Sequence, residues 1–162
     1  MLIVREATDT DAPAIAALYR TLVSDAHVAV LPARLRSIAE DPQTFLLVCE
    51  LDGAVCGTAL VSLCLDAMYG HQPYAVIENV VVAEERRRSG VGRSLFVHIE
   101  ELCDRHDCSK MMLLSGDARG DAHRFFTRCG FNAAKRGFVK YRREFRRVVR
   151  PLDSSDPEPG NP

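Results

Sequence analysis

The segment Tyr74 to Val82 is almost uninterrupted apolar sequence, as expected of a central strand buried on both faces, and only Glu78 and Asn79 break it. The stretch immediately after it narrows the fold most. Three consecutive arginines, Arg86 to Arg88, lead into Ser89-Gly90-Val91-Gly92, where a helical pattern sets in. That helix is predicted over Gly90 to His106, with Val91, Leu95, Ile99 and Leu102 as its apolar stripe. Strand, basic glycine turn and helix therefore form one unit.

Glycine allows close backbone approach and unusual dihedrals, so successive N–H groups in such a turn can converge on an anion. A helix N-terminus adds unsatisfied donors and a favourable dipole, and arginine suits phosphate contacts. Arg87-Arg88-Ser89-Gly90-Val91-Gly92 accordingly predicts a site for the phosphates of a nucleotide-like cofactor. A plain glycine-containing helix start with exposed basic residues fits the same letters. Two familiar phosphate motifs are disfavoured. A GxGxxG fingerprint would need glycine where Leu95 stands, and no Gly-Lys-Ser or Gly-Lys-Thr of a Walker loop is present.

Elsewhere the pattern alternates helices and strands. Leu2 to Glu6 reads as a first strand, and Thr8 or Asp9 caps a helix running through Arg20, with Pro13 in its first turn. A second helix follows Pro32 and stops near Asp41-Pro42, with a loop from Ser24 to Leu31 before it. Thr44 to Leu51 and Val55 to Leu65 form a hairpin across Asp52-Gly53, followed by a polar loop, Asp66 to Pro73. Lys110 to Leu114 is a short strand and Asp121 to Cys129 a helix; Phe131 begins a further strand and Phe138 to Phe145 supplies another. Both element types recur, so an α/β (mixed α+β) domain with a mixed sheet and helices on its faces is expected. It spans residues 1–150 as a single domain, and the Pro-rich residues 151–162 form a tail not expected to fold.

The 162 residues suffice for one core without covalent staples. Cys49, Cys56, Cys64, Cys103, Cys108 and Cys129 include no CxxC pair, and the N-terminus reaches charged residues before any long apolar run. A reduced cytoplasmic protein with buried thiols, no metal site and no membrane span is the expectation. The net charge of -1 gives no global reason to expect a nucleic-acid partner. Lys135, Arg136, Lys140, Arg142, Arg143, Arg146, Arg147 and Arg150 do crowd the C-terminal part, where they would attract anions or blunt a sheet edge.

Taken together, these segments resemble the GNAT superfamily of N-acyltransferases. Arg87 to Gly92 matches its acyl-CoA pyrophosphate loop, Ile77-Glu78-Asn79-Val80-Val81-Val82 looks like its splayed fourth strand, and Ala122 to Phe131 resembles its second signature, a helix ending in Gly-Phe. The resemblance covers about residues 2 to 145. It implies the acyl-CoA N-acyltransferase fold, a mostly antiparallel central sheet with helices on both faces. It also implies acetyl-CoA as cosubstrate and acetyl transfer to a primary amine in a ternary complex. On this basis Arg87, Arg88, Ser89, Gly90, Val91, Gly92, Arg93 and Ser94 would hold the diphosphate. Val80, Val81 and Val82 would pair with the pantetheine arm, the N–H groups around Val80 and Val81 facing the acyl carbonyl.

Two positions depart from the family pattern. Phe126 stands where many members carry the tyrosine that protonates the leaving thiolate, and Arg119 stands where many carry an asparagine beside the cofactor arm. A non-catalytic CoA-binding or protein-interaction module is the alternative these substitutions raise. Glu78 is the preferred general base, with a structural carboxylate as the competing reading, and Asn79 is expected on the opposite strand face. Tyr69 and His71 are acceptor-side candidates from one loop, Tyr69 as a proton donor to the thiolate and His71 through its intrinsic pKa, and His27 is a candidate substrate contact. A small-molecule amine is favoured over a protein amine, and dimerisation through the C-terminal strands stands beside a monomer.

Overall fold

The computed structural model describes residues 1–142, apart from 24, 26, 117 and 118. Residues Met1–Phe131 make one compact unit, and Asn132 opens a second. In the first unit β1 (Leu2–Glu6), α1 (Ala12–Leu22), α2 (Pro32–Ala39), β2 (Thr44–Leu51), β3 (Ala54–Cys64), β4 (Tyr74–Val82), α3 (Val91–Arg105), β5 (Met111–Leu113) and α4 (Gly120–Arg128) follow in chain order. Among the described residues the sheet has five strands in the order β1-β2-β3-β4-β5. The first three pairings are antiparallel and only β4 with β5 is parallel, the mixed, mostly antiparallel sheet expected.

Local chemistry accounts for the joints. Asp52 and Gly53 both take positive φ, 54° and 83°, as a two-residue hairpin turn requires. Before α1, the Asp11 carboxylate accepts the Thr8 N–H at 2.7 Å and also receives both Arg5 guanidinium nitrogens Nη1 and Nη2, at 2.7 and 2.9 Å. Arg5 Nε reaches Glu50 of β2 at 2.8 Å, so one guanidinium joins β1, β2 and the start of α1. The chain after α4 stops the helix with Gly130 at φ 86°, whose N–H reaches the Thr127 carbonyl at 3.0 Å while the Phe131 N–H reaches the Phe126 carbonyl at 3.1 Å. That pair of bonds is a Schellman cap.

Two apolar layers sandwich the sheet. On one face α3 brings Val91, Leu95, Phe96, Ile99 and Leu102 onto Leu47, Ala59, Val61, Ala75 and Ile77. On the other, Ile15 of α1 and Leu35 of α2 cover Leu46 and Val48. Gly57 allows α3 to lie close: a Cβ there would come within 2.6 Å of Val91 Cγ1. None of the helices of the described residues is long and apolar enough to cross a membrane.

Two strand expectations fail. Phe131 begins no strand, because its N–H is spent capping α4 and its ring packs on Phe96 at 5.6 Å. Residues 138–142 carry no strand either, and 143–145 lie outside the described residues, as do Arg143, Arg146, Arg147, Arg150 and the tail 151–162.

Candidate active site

The site is built where β4 parts from β5. Their pairing runs Ala75↔Met111, Val76↔Met112, Ile77↔Leu113 and stops, so from Glu78 onward β4 has no strand beside it on that side among the described residues. At the same point the register with β3 shifts: Thr58 faces Val81 while Leu60 faces Glu78, leaving Asn79 and Val80 together opposite Ala59. This is a β-bulge, with Asn79 at φ 54°. Asparagine is among the few side chains that accept the left-handed region readily.

The bulge resets which side chains face which layer. Ala75 and Ile77 lie on the α3 side, and beyond the extra residue Val80 and Val82 take that side. Glu78 pairs with Leu60, whose side chain belongs to the α1/α2 layer, so the Glu78 carboxylate is on that face, exposed. Asn79 does not lie on the face opposite Glu78, as strict alternation predicts. Its side chain lies near the phenol of Tyr19 on α1, as does that of Thr58. Burial pushes the Tyr19 phenol up, and those two neighbours offset part of the shift.

Beyond Val82 the chain makes one 3-10 turn, Glu84–Arg86, and reaches the basic glycine segment. Arg88 has φ 66° and Gly90 φ 91°, and Gly90 is the residue immediately before α3. The Ser89 hydroxyl closes the turn onto the Arg86 carbonyl at 2.5 Å. Among the described hydrogen bonds none is donated by the main-chain N–H groups of residues 88 to 93; the series resumes with the Ser94 N–H on the Gly90 carbonyl at 2.9 Å. Consecutive unspent donors at a helix N-terminus, with positive φ alternating into them, form an anion nest. Gly92 has another duty: a Cβ there would sit 3.1 Å from Phe125 Cζ, so its small size serves the packing of α4 on α3.

Known proteins share this fold. The sequence profile of the acetyltransferase (GNAT) family matches residues 14–131. The chain belongs to that family. Over 114 residues it is 31% identical to aminoglycoside N(6')-acetyltransferase type 1 of Serratia marcescens, covering 68% of this chain and 77% of that protein. A candidate acetyltransferase from Agrobacterium tumefaciens C58 superposes with a TM-score of 0.79 at 32% identity, covering 86% of this chain and 99% of that one. Aminoglycoside N-acetyltransferase AAC(6')-Iy, in complex with CoA, shares the fold at a TM-score of 0.75 and 18% identity, over 88% and 95% of the two chains.

As a GNAT acetyltransferase the protein is an acetyl-CoA-dependent N-acetyltransferase, the family and fold that the sequence motifs implied. The unspent N–H groups of residues 88 to 93 beside Arg87 and Arg88 fit the diphosphate of that cosubstrate. The structure gathers Glu78 and Val80 to Val82 on one strand that runs directly into Arg87 to Ser94. Tyr69 lies apart from them. It sits half exposed in the turn joining β3 to β4, at the end of the sheet opposite the glycine turn, with His71 in the same loop.

The second signature supplies packing. Phe126 meets Phe96 and Phe125 in tilted and edge-on contact with centroids 5.7 and 5.6 Å away, and its phenyl ring has no phenolic proton to give. Arg119 precedes α4 as its N-cap residue. His27 is exposed and bonded to Asp25 at 2.9 Å. Among the described residues no group of three His, Cys, Asp or Glu is placed to hold a metal ion. Burial pushes the Cys49 thiol up to about 11 and the Cys103 thiol up to about 12, the opposite of what an activated nucleophile needs. Sequence periodicity reads Tyr19 as one more member of an apolar helix stripe, and the structure packs it, partly buried, against the α1/α2 layer.

Proposed function

We propose that the protein transfers the acetyl group of acetyl-CoA to the primary amine of a small molecule by direct attack, with both substrates held together. The observation that carries this reading is the bulged, unaccompanied half of β4 running into a turn of unspent N–H groups. Arg87 to Gly92 hold the diphosphate, and Arg93 and Ser94 extend that contact at the helix start. Val80 to Val82 offer their main chain to the pantetheine arm along the side that β5 leaves bare. N–H groups around Val80 and Val81 donate to the acyl carbonyl oxygen as negative charge grows on it; removing one such donor typically costs about 100-fold in kcat or more. Glu78 accepts the proton of the attacking amine, directly or through one water.

The new N–C bond forms as the C–S bond breaks, and CoA departs as its thiolate. A thiol ionises at about pH 8.5, so solvent water suffices to protonate it where Phe126 cannot. Tyr69→Phe separates the two routes: a fall in kcat gives the proton to that phenol, and an unchanged kcat leaves it to water.

The Serratia marcescens aminoglycoside acetyltransferase supports a small-molecule acceptor rather than a protein. All six cysteines are free thiols, which suits a reducing compartment such as the cytoplasm. Isothermal titration with acetyl-CoA, followed by thiol release against a panel of aminoglycosides, polyamines, amino sugars and amino acids, tests the reading. Absence of cofactor binding at sub-millimolar concentration overturns it. Binding without thiol release across the panel favours instead a non-catalytic CoA-binding module, the reading that the aromatic packing of Phe126 supports. Glu78→Gln is expected to lower kcat about 100-fold or more while preserving CoA affinity; equal turnover across pH removes Glu78 from the base role.

A further inference from the structure

Two residues beyond β5 the chain buries a hydroxyl with nothing to bond. Ser115 is half-buried, but its Oγ atom is closed to solvent and, among the described residues, is the one buried side-chain nitrogen or oxygen that makes no hydrogen bond. Buried polar atoms are nearly always paired, so an exception points to a partner from outside the folded chain. Its place in the sheet narrows what that partner is. Met111 and Leu113 pack with the α3 layer and Leu114 is 71% exposed, so strand alternation turns Ser115 to the side of Met111 and Leu113. Val80 and Val82 of β4 and Phe126 of α4 lie in that same layer. Counting on from the last pair, Ile77↔Leu113, the register brings Ser115 level with Asn79, the residue before Val80, where the two strands have parted.

We infer that Ser115 is a further catalytic residue of the acetyl transfer: its hydroxyl donates a hydrogen bond to the thioester sulfur of acetyl-CoA and steadies the thiolate that leaves. With the acyl oxygen received by the N–H groups around Val80 and Val81, the sulfur on the same carbon comes next along the gap, and Ser115 is the unspent donor at that level. As the N–C bond forms, the C–S bond breaks and its electron pair goes to sulfur. Ser115 lends a hydrogen bond and keeps its proton, and solvent water supplies the one that makes the thiol. A hydrogen bond to a charged acceptor is roughly twice as strong as a neutral one, so the contact tightens as charge reaches the sulfur. A contact stronger in the transition state than in the ground state raises kcat. Phe126, in the same layer, has no group that could make it.

The inference rests on the acetyl-transfer reading, and its test separates the two. Ser115→Ala removes the hydroxyl, and Ser115→Thr puts one back. The full-length wild type and both variants are compared by thermal melts without ligand and by thiol release for kcat and for the KM of acetyl-CoA. Calorimetry compares their affinity for CoA and for desulfo-CoA, whose arm ends in hydrogen instead of the thiol. Ultraviolet absorbance follows ionisation of the bound CoA thiol with pH.

Ser115→Ala is expected to melt no lower than wild type, since an unpaired hydroxyl has no bond within the fold to lose. It is expected to lower kcat about 10- to 100-fold with the KM of acetyl-CoA little changed, and Ser115→Thr to recover most of that loss. The pH at which bound CoA ionises should rise by about one in Ser115→Ala, while desulfo-CoA binds it as it binds wild type. A lowered midpoint in unliganded Ser115→Ala gives the hydroxyl a partner inside the fold and overturns the inference. Wild-type kcat in that variant overturns it too, as does an equal loss of affinity for CoA and desulfo-CoA, which moves the contact from the sulfur to the arm. If the wild type binds CoA but turns over no amine, the acetyl-transfer reading fails, and the thiolate titration still decides whether Ser115 faces the sulfur. Absence of CoA binding overturns both.

Discussion

Asp11 is a residue whose charge state bears on the stability of the first unit. Its side chain is 8% exposed and accepts a bidentate pair from Arg5, so the guanidinium holds its carboxyl down from 3.8 to about 2, against the opposing effect of burial. A depressed folded-state value stabilises the protein above the unfolded value and loses that contribution as pH falls through the folded one. The same pairing raises the Arg5 value, so Arg5 stays charged and the pH dependence belongs to Asp11. Asp11→Asn is therefore expected to cost about 1–2 kcal/mol at pH 7, and the gap from wild type to narrow between about pH 4 and pH 2. Urea unfolding at pH 7 and pH 3 measures both gaps; equal gaps remove Asp11 from this role. This network was half legible. Thr8 and Asp9 announce a helix start, and the acid at Asp11 follows them at capping spacing. That Arg5 and Glu50, 45 positions apart, meet there depends on β1 pairing with β2, which no local pattern encodes.

At the scale of elements, the sequence is most informative where one segment carries its own reason. The Asp52-Gly53 hairpin, the buried run Tyr74 to Val82 and the α3 stripe lie where their residue types place them, because turn chemistry and helical period act over a few neighbours. The bulge in β4 is harder. Glu78 and Asn79 are visible as a break in an apolar run, but whether a break means alternating faces or an inserted residue is settled by β3 across the ladder. Phe131 went the other way. A Gly-Phe pair after a helix looks like a turn into a strand, whereas the Schellman cap consumes the Phe131 N–H and returns its ring towards Phe126.

Gly57 lies under Val91 where β3 meets α3, and that joint tests how the site is supported. Gly57→Ala places a methyl group where the Val91 Cγ1 atom would be 2.6 Å away, on a helix whose first residue adjoins Gly90. Overpacking of this kind costs about 1–3 kcal/mol, and here the strain falls on the start of α3. Weaker acetyl-CoA binding together with a lowered unfolding midpoint is the expected outcome, read by calorimetry and thermal melts. Unchanged affinity in the destabilised variant means that the nest does not depend on how α3 seats on β3.

Across the whole molecule, the sheet divides the apolar side chains into an α3 layer and an α1/α2 layer, and the proposed site draws on both. Glu78 belongs to the α1/α2 face, Val80 and Val82 to the α3 face, and the glycine turn to the end of the strand between them. A cosubstrate seated along that line bridges the layers and binds the folded state only. Such binding stabilises the fold by RT ln(1 + [L]/Kd), about 2.7 kcal/mol at 100 times Kd. For a chain of 162 residues that converts to a rise in Tm of about 5–10 °C. Acetyl-CoA and free CoA should produce it alike, since both carry the diphosphate and pantetheine arm, whereas the acceptor amine alone should not. Gly90→Ala supplies the control. It puts a side chain at φ 91°, where a Cβ meets nothing closer than Leu2 at 3.9 Å, so its strain is in the backbone of the nest rather than in packing. The ligand-induced rise should shrink in this variant while the midpoint without ligand falls only modestly. A full-sized rise in Gly90→Ala would move the diphosphate away from this turn and leave the bulged strand alone to account for binding.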